Sequence, residues 1–215
     1  MNVLVFDTET TGLFPKKANI ENDDLSKFPY IVQFSYIIYD ISNCNQLAIC
    51  DYIVKLPENV KMEQECISIH GITNEISQLK GLSIQNVIYK FVEDCKTFNV
   101  ELIIAHNLEF DMNMLKLESK RNNIDIRNVL HSNKYCTMQS SIELCNLEQT
   151  NRFGKYKKYP KLSELYNKLF GSIPNNLHNA LNDVIVCLNC YYKLVLNIEL
   201  IERDDKMKLL MNKVL

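Results

Sequence analysis

The sequence predicts an α/β fold, one domain on a mixed sheet, on three observations. A short apolar run stops abruptly at acids (NVLVF then DTETTG), two β-rich segments flank a polar turn, and an amphipathic helix leads straight into a second short apolar run (ELIIA). Residues 2–6 read as a buried strand that delivers polar residues at its C-terminal end. The loop 14–29 contains Pro15, Pro29 and mixed charge, so it reads as exposed. Tyr30 to Tyr39 and Leu47 to Val54 follow as strands joined by the turn ISNCNQ, which completes a three-stranded antiparallel meander. From Ser83 to Phe98 the apolar positions Ile84, Ile88, Phe91, Cys95 and Phe98 recur at helical spacing, and ELIIA (101–105) is the next strand. A strand reached through such a helix runs parallel to its partner. Helices are predicted from near Asn107, from Lys161 to Phe170 with Gly171 closing it, and from Asn179 to Asn197; a helical tail of mixed charge continues from Glu199. No linker or internal repeat divides the chain, and the expected organisation is a domain over 1–198 with a helical tail, 199–215, packed on it.

Composition sets limits. The chain has 215 residues, Lys+Arg 24 against Asp+Glu 26, formal net charge -2, 47% hydrophobic and 23% charged residues, which are ordinary globular values and exclude disorder as the main state. No apolar stretch reaches the ~18 residues of a membrane span, and the N-terminus turns acidic before a signal-peptide core could form. The expectation is a soluble intracellular protein without a membrane partner, in the cytoplasm or, for a viral source, the host cell. Near-neutral charge gives no global argument for a nucleic-acid partner, so that argument has to be local. Eight cysteines are scattered, and only Cys187 and Cys190 have ligand-like spacing; both fall in an apolar helical run and read as core thiols rather than zinc ligands.

Three polar segments carry chemistry. Asp7 and Glu9 are two apart at a strand end, so both side chains face one side; the same residues also read as a loop cap. Asp111 lies about one turn into the helix after ELIIA, in AHNLEFD. Polar groups outside the carboxyl ends of neighbouring strands are where open α/β sheets place their sites. In LHNALND, His178 precedes Asp183 by five, and five residues turn a helix by about 140° net, so the two do not share a helix face. His178 is better placed on the entering loop, from which its ring can swing toward whatever Asp183 binds. Four carboxylates suit hard divalent cations, and a histidine of ordinary pKa near ~6.5 can accept a proton from water.

These segments together resemble the DEDDh, DnaQ-like 3′-to-5′ exonucleases, which include polymerase proofreading subunits, RNase T and oligoribonuclease. The motif D-x-E-T-T-G appears as Asp7-Thr8-Glu9-Thr10-Thr11-Gly12, the second motif as AHNLEFD ending at Asp111, and H-x4-D as His178 to Asp183. Asn179 stands where the tyrosine branch would need Tyr, which assigns the histidine branch. ISIHGIT (67–73) is similar to the family's H-G-I-T segment beside the terminal nucleotide, LSELYNKLFG (162–171) to its L-x-x-L helix; Cys136-Thr137 departs from its usual D-T. The resemblance, over about residues 2 to 195, implies a ribonuclease H-like five-stranded mixed sheet of order 3-2-1-4-5 with helices on both faces. It implies two Mg²⁺ ions, replaceable by Mn²⁺, on Asp7, Glu9, Asp111 and Asp183, with His178 as general base. It also implies substrate contacts by Thr10, Leu13 (an apolar wedge), His70, Asn107 and Phe110, although His70 reads equally as a turn or cap residue.

Residues 152–161, RFGKYKKYPK, concentrate Arg152, Lys155, Lys157, Lys158 and Lys161 among aromatic residues with no acid. Basic side chains track phosphates and aromatic faces stack unpaired bases, so Lys155, Lys157 and Lys158 are candidates to guide a single strand; a solvated lysine loop is the alternative. Setting the four carboxylates aside leaves a slightly basic remainder. The expectation is a metal-dependent 3′-to-5′ exonuclease on single-stranded or frayed ends, DNA favoured over RNA. Its partner is nucleic acid with a free 3′ end, and a polymerase or a second copy of the chain is a further candidate. An exoribonuclease, a ribonuclease H-type endonuclease and a silent nucleic-acid-binding domain on the same fold are the rivals.

Overall fold

A computed structural model describes residues 1–17 and 19–215; Ala18, in the loop 14–29, lies outside them. The apolar run at the start is strand β1, Asn2–Thr10, and it is central because both of its faces are apolar. Leu4 and Phe6 enter one core and Val3 and Val5 the other, as the two-residue side-chain period of a strand requires. On one side β1 pairs antiparallel with β2 (Ile31–Asp40), which pairs antiparallel with the edge strand β3 (Asn45–Ile53). On the other it pairs parallel with β4 (Leu102–Ala105), and β4 parallel with β5 (Asn133–Cys136), giving the order 3-2-1-4-5. The meander, the crossover and the mixed sheet are those the sequence predicts.

Helices cover both faces. Between β3 and β4 run α1 (Gln64–His70), α2 (Asn74–Lys80) and α3 (Ile84–Thr97). The Ser83 side chain caps α3 by accepting from the Asn86 N–H at 3.2 Å, and α3 buries Val87, Ile88, Phe91 and Cys95. Next come α4 (Leu108–Arg121) and α5 (Arg127–His131), which share that core with Leu4, Phe6, Phe34 and Tyr36. After β5 follow two single-turn helices, α6 (Thr137–Ser140) and α7 (Ile142–Cys145), and a hairpin of β6 (Glu148–Asn151) and β7 (Gly154–Lys157). The opposite face is covered by α8 (Leu162–Phe170), closed by Gly171 at φ 74, and α9 (Ala180–Tyr191). Cys187 and Cys190 are core thiols there, 3% and 0% exposed.

Two differences from the sequence reading have physical reasons. The long helix predicted to Asn197 ends as an α-helix at Tyr191 and continues as a π-helical turn, Tyr192–Leu196, with Asn197 left-handed at φ 53. The widening falls where consecutive Tyr191 and Tyr192 are both buried, edge-on to Tyr135 and Tyr39 respectively. The basic segment, for which a lysine loop is the alternative reading, instead supplies the turn and second strand of the exposed hairpin β6–β7; that turn rests on the Asn151 side chain accepting from the Phe153 N–H at 2.8 Å and on Gly154 at φ 123.

Beyond residue 199, a 3-10 turn (Leu200–Glu202), α10 (Asp205–Met211) and the residues after it bury Leu200, Met207, Met211 and Val214 in the core they share with α9. Asp204 caps α10 and also accepts from the Tyr39 hydroxyl at 2.7 Å, which ties the tail to β2. No helix of the described residues is long and apolar enough to cross a membrane.

Candidate active site

The site forms where β1 and β4 end and α4 and α9 begin. In β1, Asp7 stands opposite Ser35 and Glu9 opposite Gln33, and the ladder slips by one residue between Glu9 and Thr10. Such a bulge re-aims the strand end and is common beside active sites. Thr8, between the two acids, reaches the second motif: its N–H and its hydroxyl both donate to Asp111 Oδ1, at 3.1 and 2.8 Å. Asp111 is 3% exposed, and the turn that sends α4 off β4 passes through Asn107 in the left-handed region at φ 70. Asparagine tolerates that conformation better than most residues.

His178 is also left-handed, at φ 68, on the loop before α9, and its backbone N–H donates to Asp183 Oδ2 at 3.2 Å. The chain therefore bends sharply enough to bring the ring back over the helix start, which a regular helix would not allow. Donor atoms of Glu9, His178 and Asp183 all lie within 4.8 Å of one another. The His178 ring is exposed and makes no protein hydrogen bond among the described residues.

The electrostatics are those of unneutralised acids in a confined space. Burial, then Asp111, Asp183 and Glu9, pushes the Asp7 carboxyl well above its usual range. Burial pushes Glu9 to about 7. Asp111 rises to about 8 through burial, with Glu9 adding to the rise and the Thr8 hydrogen bonds opposing it, and Asp183 to about 7 through burial and Glu9. Asp183 Oδ1 is buried without a hydrogen-bond partner among the described residues. A lone pair of this kind, among several hard oxygen donors lacking a cation, fits a divalent metal.

His106 holds the floor. Its ring nitrogens meet Thr137 Oγ1 and the Pro160 carbonyl, each at 3.0 Å, so Nε2 donates to Pro160 and Nδ1 accepts from Thr137. Burial pushes its pKa down to about 4, with the Pro160 carbonyl opposing, so the ring is a neutral brace. Thr137, next to Cys136, is fully buried, with its hydroxyl 3.5 Å from Cys187 Sγ.

A cleft of about 620 Å³ opens over these groups. Of the residues expected to touch substrate, Leu13, Asn107 and Phe110 line it, and Leu13 is 82% exposed. Thr10 is not among the lining residues; its hydroxyl donates to the Gly12 carbonyl at 2.8 Å. His70 ends α1; its Nδ1 accepts from the Ile72 N–H at 3.1 Å while Nε2 is buried without a partner, and burial lowers its pKa.

The three hairpin lysines are not among the lining residues, and each holds an acid: Lys155 with Glu148 at 3.3 Å, Lys157 with Glu143, and Lys158 with Glu164 at 2.6 Å. From the same segment Tyr159, Pro160 and Lys161 reach the cleft instead. Met138 and Leu177 also line it and escaped the sequence reading, as did the partners of His106. Leu177 carried only its adjacency to His178 as a signal.

A family model described as Exonuclease, of the RNase T type, matches residues 4–191. No curated protein sequence matches the chain. Among solved structures, E. coli exonuclease I in complex with a dT13 oligonucleotide is 18% identical at a TM-score of 0.67, over 95% of this chain and 43% of that one. Its complex with a dA16 oligonucleotide gives 18% and 0.65, over 99% and 42%. An apo exonuclease I gives 19% and 0.66, over 99% and 44%. The chain thus spans less than half the length of the exonuclease I chains it matches, and at this identity the likeness concerns the fold. With the family model spanning all three acidic segments, the chain belongs to the exonuclease family, in its DEDDh (DnaQ-like) branch with a ribonuclease H-like fold.

Proposed function

We propose that this chain is a 3′-to-5′ exonuclease that hydrolyses nucleic acid from single-stranded or frayed 3′ ends and releases nucleoside 5′-monophosphates. The observation that carries this reading is the convergence of Asp7, Glu9, Asp111 and Asp183 with the free ring of His178 at one open cleft. DNA is the favoured substrate, supported by the oligonucleotides, dT13 and dA16, that the exonuclease I structures hold. The catalytic unit is residues 1–198.

Exonucleases of this family depend on divalent metal, and the four carboxylates would hold two Mg²⁺ ions, or Mn²⁺ in their place. Bound there, such a pair supplies an activated water and charge stabilisation at the leaving 3′-oxygen. His178 accepts the proton of the attacking water at its ring, a role its exposed loop position and lack of competing hydrogen bonds suit. Asp111 is held by Thr8 and so keeps its carboxylate in register with the β1 acids.

Leu13 projects from the rim as an apolar wedge between the last bases. Asn107 and Phe110 contact the terminal nucleotide, with Thr10 and His70 at the edge. The hairpin guides the incoming strand, with Lys155, Lys157 and Lys158 exchanging their acid partners for phosphates. The exposed pairs of Lys155 and Lys157 are worth only about 0–1 kcal/mol each, so their exchange is cheap.

Digestion of a 5′-labelled DNA oligomer with Mg²⁺ and with chelator tests the reading. Stepwise shortening from the 3′ end with mononucleotide products, abolished by chelator, is expected; cleavage of a circular single strand would overturn it in favour of an endonuclease. A matched RNA oligomer degraded faster than the DNA would overturn the substrate preference alone.

A further inference from the structure

Gln33 lies directly across the antiparallel ladder from Glu9 and is 1% exposed, yet both ends of its amide are engaged. Nε2 donates to Asp51 Oδ1 at 2.7 Å, and Oε1 accepts from the Ala180 N–H at 3.1 Å. Asp51, on the edge strand β3, also accepts from the Ser35 hydroxyl at 2.7 Å. A carboxylate only accepts and a backbone N–H only donates, so a single orientation of the amide satisfies both neighbours. Asp51 thereby sets which end of Gln33 faces the helix.

Ala180 is fully buried and is the first residue of α9, two after His178 and three before Asp183. Its N–H belongs to the first turn, where no intrahelical acceptor exists. Gln33 supplies that acceptor from the strand position opposite a proposed metal ligand. The His178 loop and Asp183 are joined to each other by the 3.2 Å bond from the His178 N–H, so the helix start and the loop move as one piece.

We propose that Gln33, oriented by Asp51, is a positioning residue that fixes the start of α9, and with it His178 and Asp183, at the correct distance from Glu9. The proposal rests on the exonuclease reading for its kinetic consequence. Its structural part, the capture of the Ala180 N–H, stands independently.

The test uses three variants of the full chain. Gln33→Met keeps the side-chain volume and removes both hydrogen bonds. Asp51→Ala acts at an exposed edge-strand position, and Asp51→Asn retains an oxygen that can accept from Gln33 and Ser35. With Mg²⁺ and a DNA oligomer, Gln33→Met and Asp51→Ala are expected to lower kcat about tenfold, the equivalent of one hydrogen bond's worth of misplacement, with KM changed less than about twofold. Asp51→Asn is expected to restore kcat to within about twofold of the parent. Amide hydrogen exchange of metal-free protein gives the second readout: exchange at Ala180 is faster in Gln33→Met while the amides in the middle of α9 keep their protection. Unchanged kcat in both Gln33→Met and Asp51→Ala, or an Ala180 amide as protected as in the parent, would overturn the proposal. Absence of nucleotide release by the parent would count against the exonuclease reading, and the exchange result would still decide whether Gln33 holds Ala180.

Discussion

The acids of the cleft and the lysines at and just after β7 are two gatherings of like charge, and the fold treats them oppositely. Each of Lys155, Lys157 and Lys158 is given a carboxylate. Among the described residues Asp7, Glu9, Asp111 and Asp183 are given no cation: Asp111 is bonded by Thr8 and Asp183 by the His178 backbone, neither of which carries charge. A folded chain neutralises charge wherever nothing else will, because unpaired buried charge is costly. Four acids left without a cation mark a place where something from outside completes the balance. Like charge alone does not make that distinction; the partners do.

The sharpest way to break this comparison is to remove one of the unpaired charges. Asp7→Asn is expected to reduce turnover with Mg²⁺ below detection, and at the same time to raise the melting temperature of the metal-free protein, since it relieves repulsion among acids that sit together. Each 1 kcal/mol relieved shifts the midpoint by about 2–4 °C at this size. A lower midpoint with full activity would mean that Asp7 is an ordinary structural acid. His178→Ala is the next largest effect: kcat falls by ~10²–10⁴ while oligomer affinity stays within about twofold, measured by single-turnover kinetics and anisotropy.

The parts of the site legible in the sequence were those whose signal is local. Asp7 and Glu9 follow from a two-residue strand period, and the loop placement of His178 from the angular mismatch of a five-residue step on a helix. The left-handed backbone at His178 satisfies that mismatch. His106 was not legible as a brace because its partners, Thr137 and Pro160, are 31 and 54 residues away. The hairpin was missed because all eight of its strand residues are exposed, so no burial alternation exists to reveal a strand. The helix α1 escaped for the same reason, with none of its residues fully buried.

pH sharpens the contrast at moderate effect. In the unfolded chain these acids titrate near ~4, whereas the fold raises Glu9 and Asp183 to about 7 and Asp111 to about 8. Between those limits the folded state holds protons that the unfolded state has released, so their contribution to stability is full below ~4 and is lost as pH rises through 7 to 8. In chelator, the melting temperature is expected to fall by several degrees from pH 5.5 to pH 8.5. Added Mg²⁺ should recover most of that loss at pH 8.5 and little at pH 5.5, because the metal competes with protons for the same oxygens. A midpoint that climbs steadily with pH in chelator would show that the acids are compensated by some other group.

The smallest effect concerns the paired lysines. A free cation on a single strand contributes ~0.7 to the slope of log K against log salt, so three unpartnered lysines would contribute about 2. Lys155, Lys157 and Lys158 must first leave Glu148, Glu143 and Glu164, and the strand then faces three released carboxylates beside its phosphates. Changing all three to Gln is therefore expected to weaken oligomer binding by only a few-fold and to flatten the salt slope by about 1, half the value for free cations. Lys161 lines the cleft and forms no ion pair among the described residues, so Lys161→Gln alone should flatten it by ~0.7. Fluorescence anisotropy over a salt series measures both. A full loss of about 2 from the triple change would mean that the acids move aside when the strand arrives, and that the hairpin lysines act as free charges; no change at all would mean the strand passes the cleft without touching the hairpin.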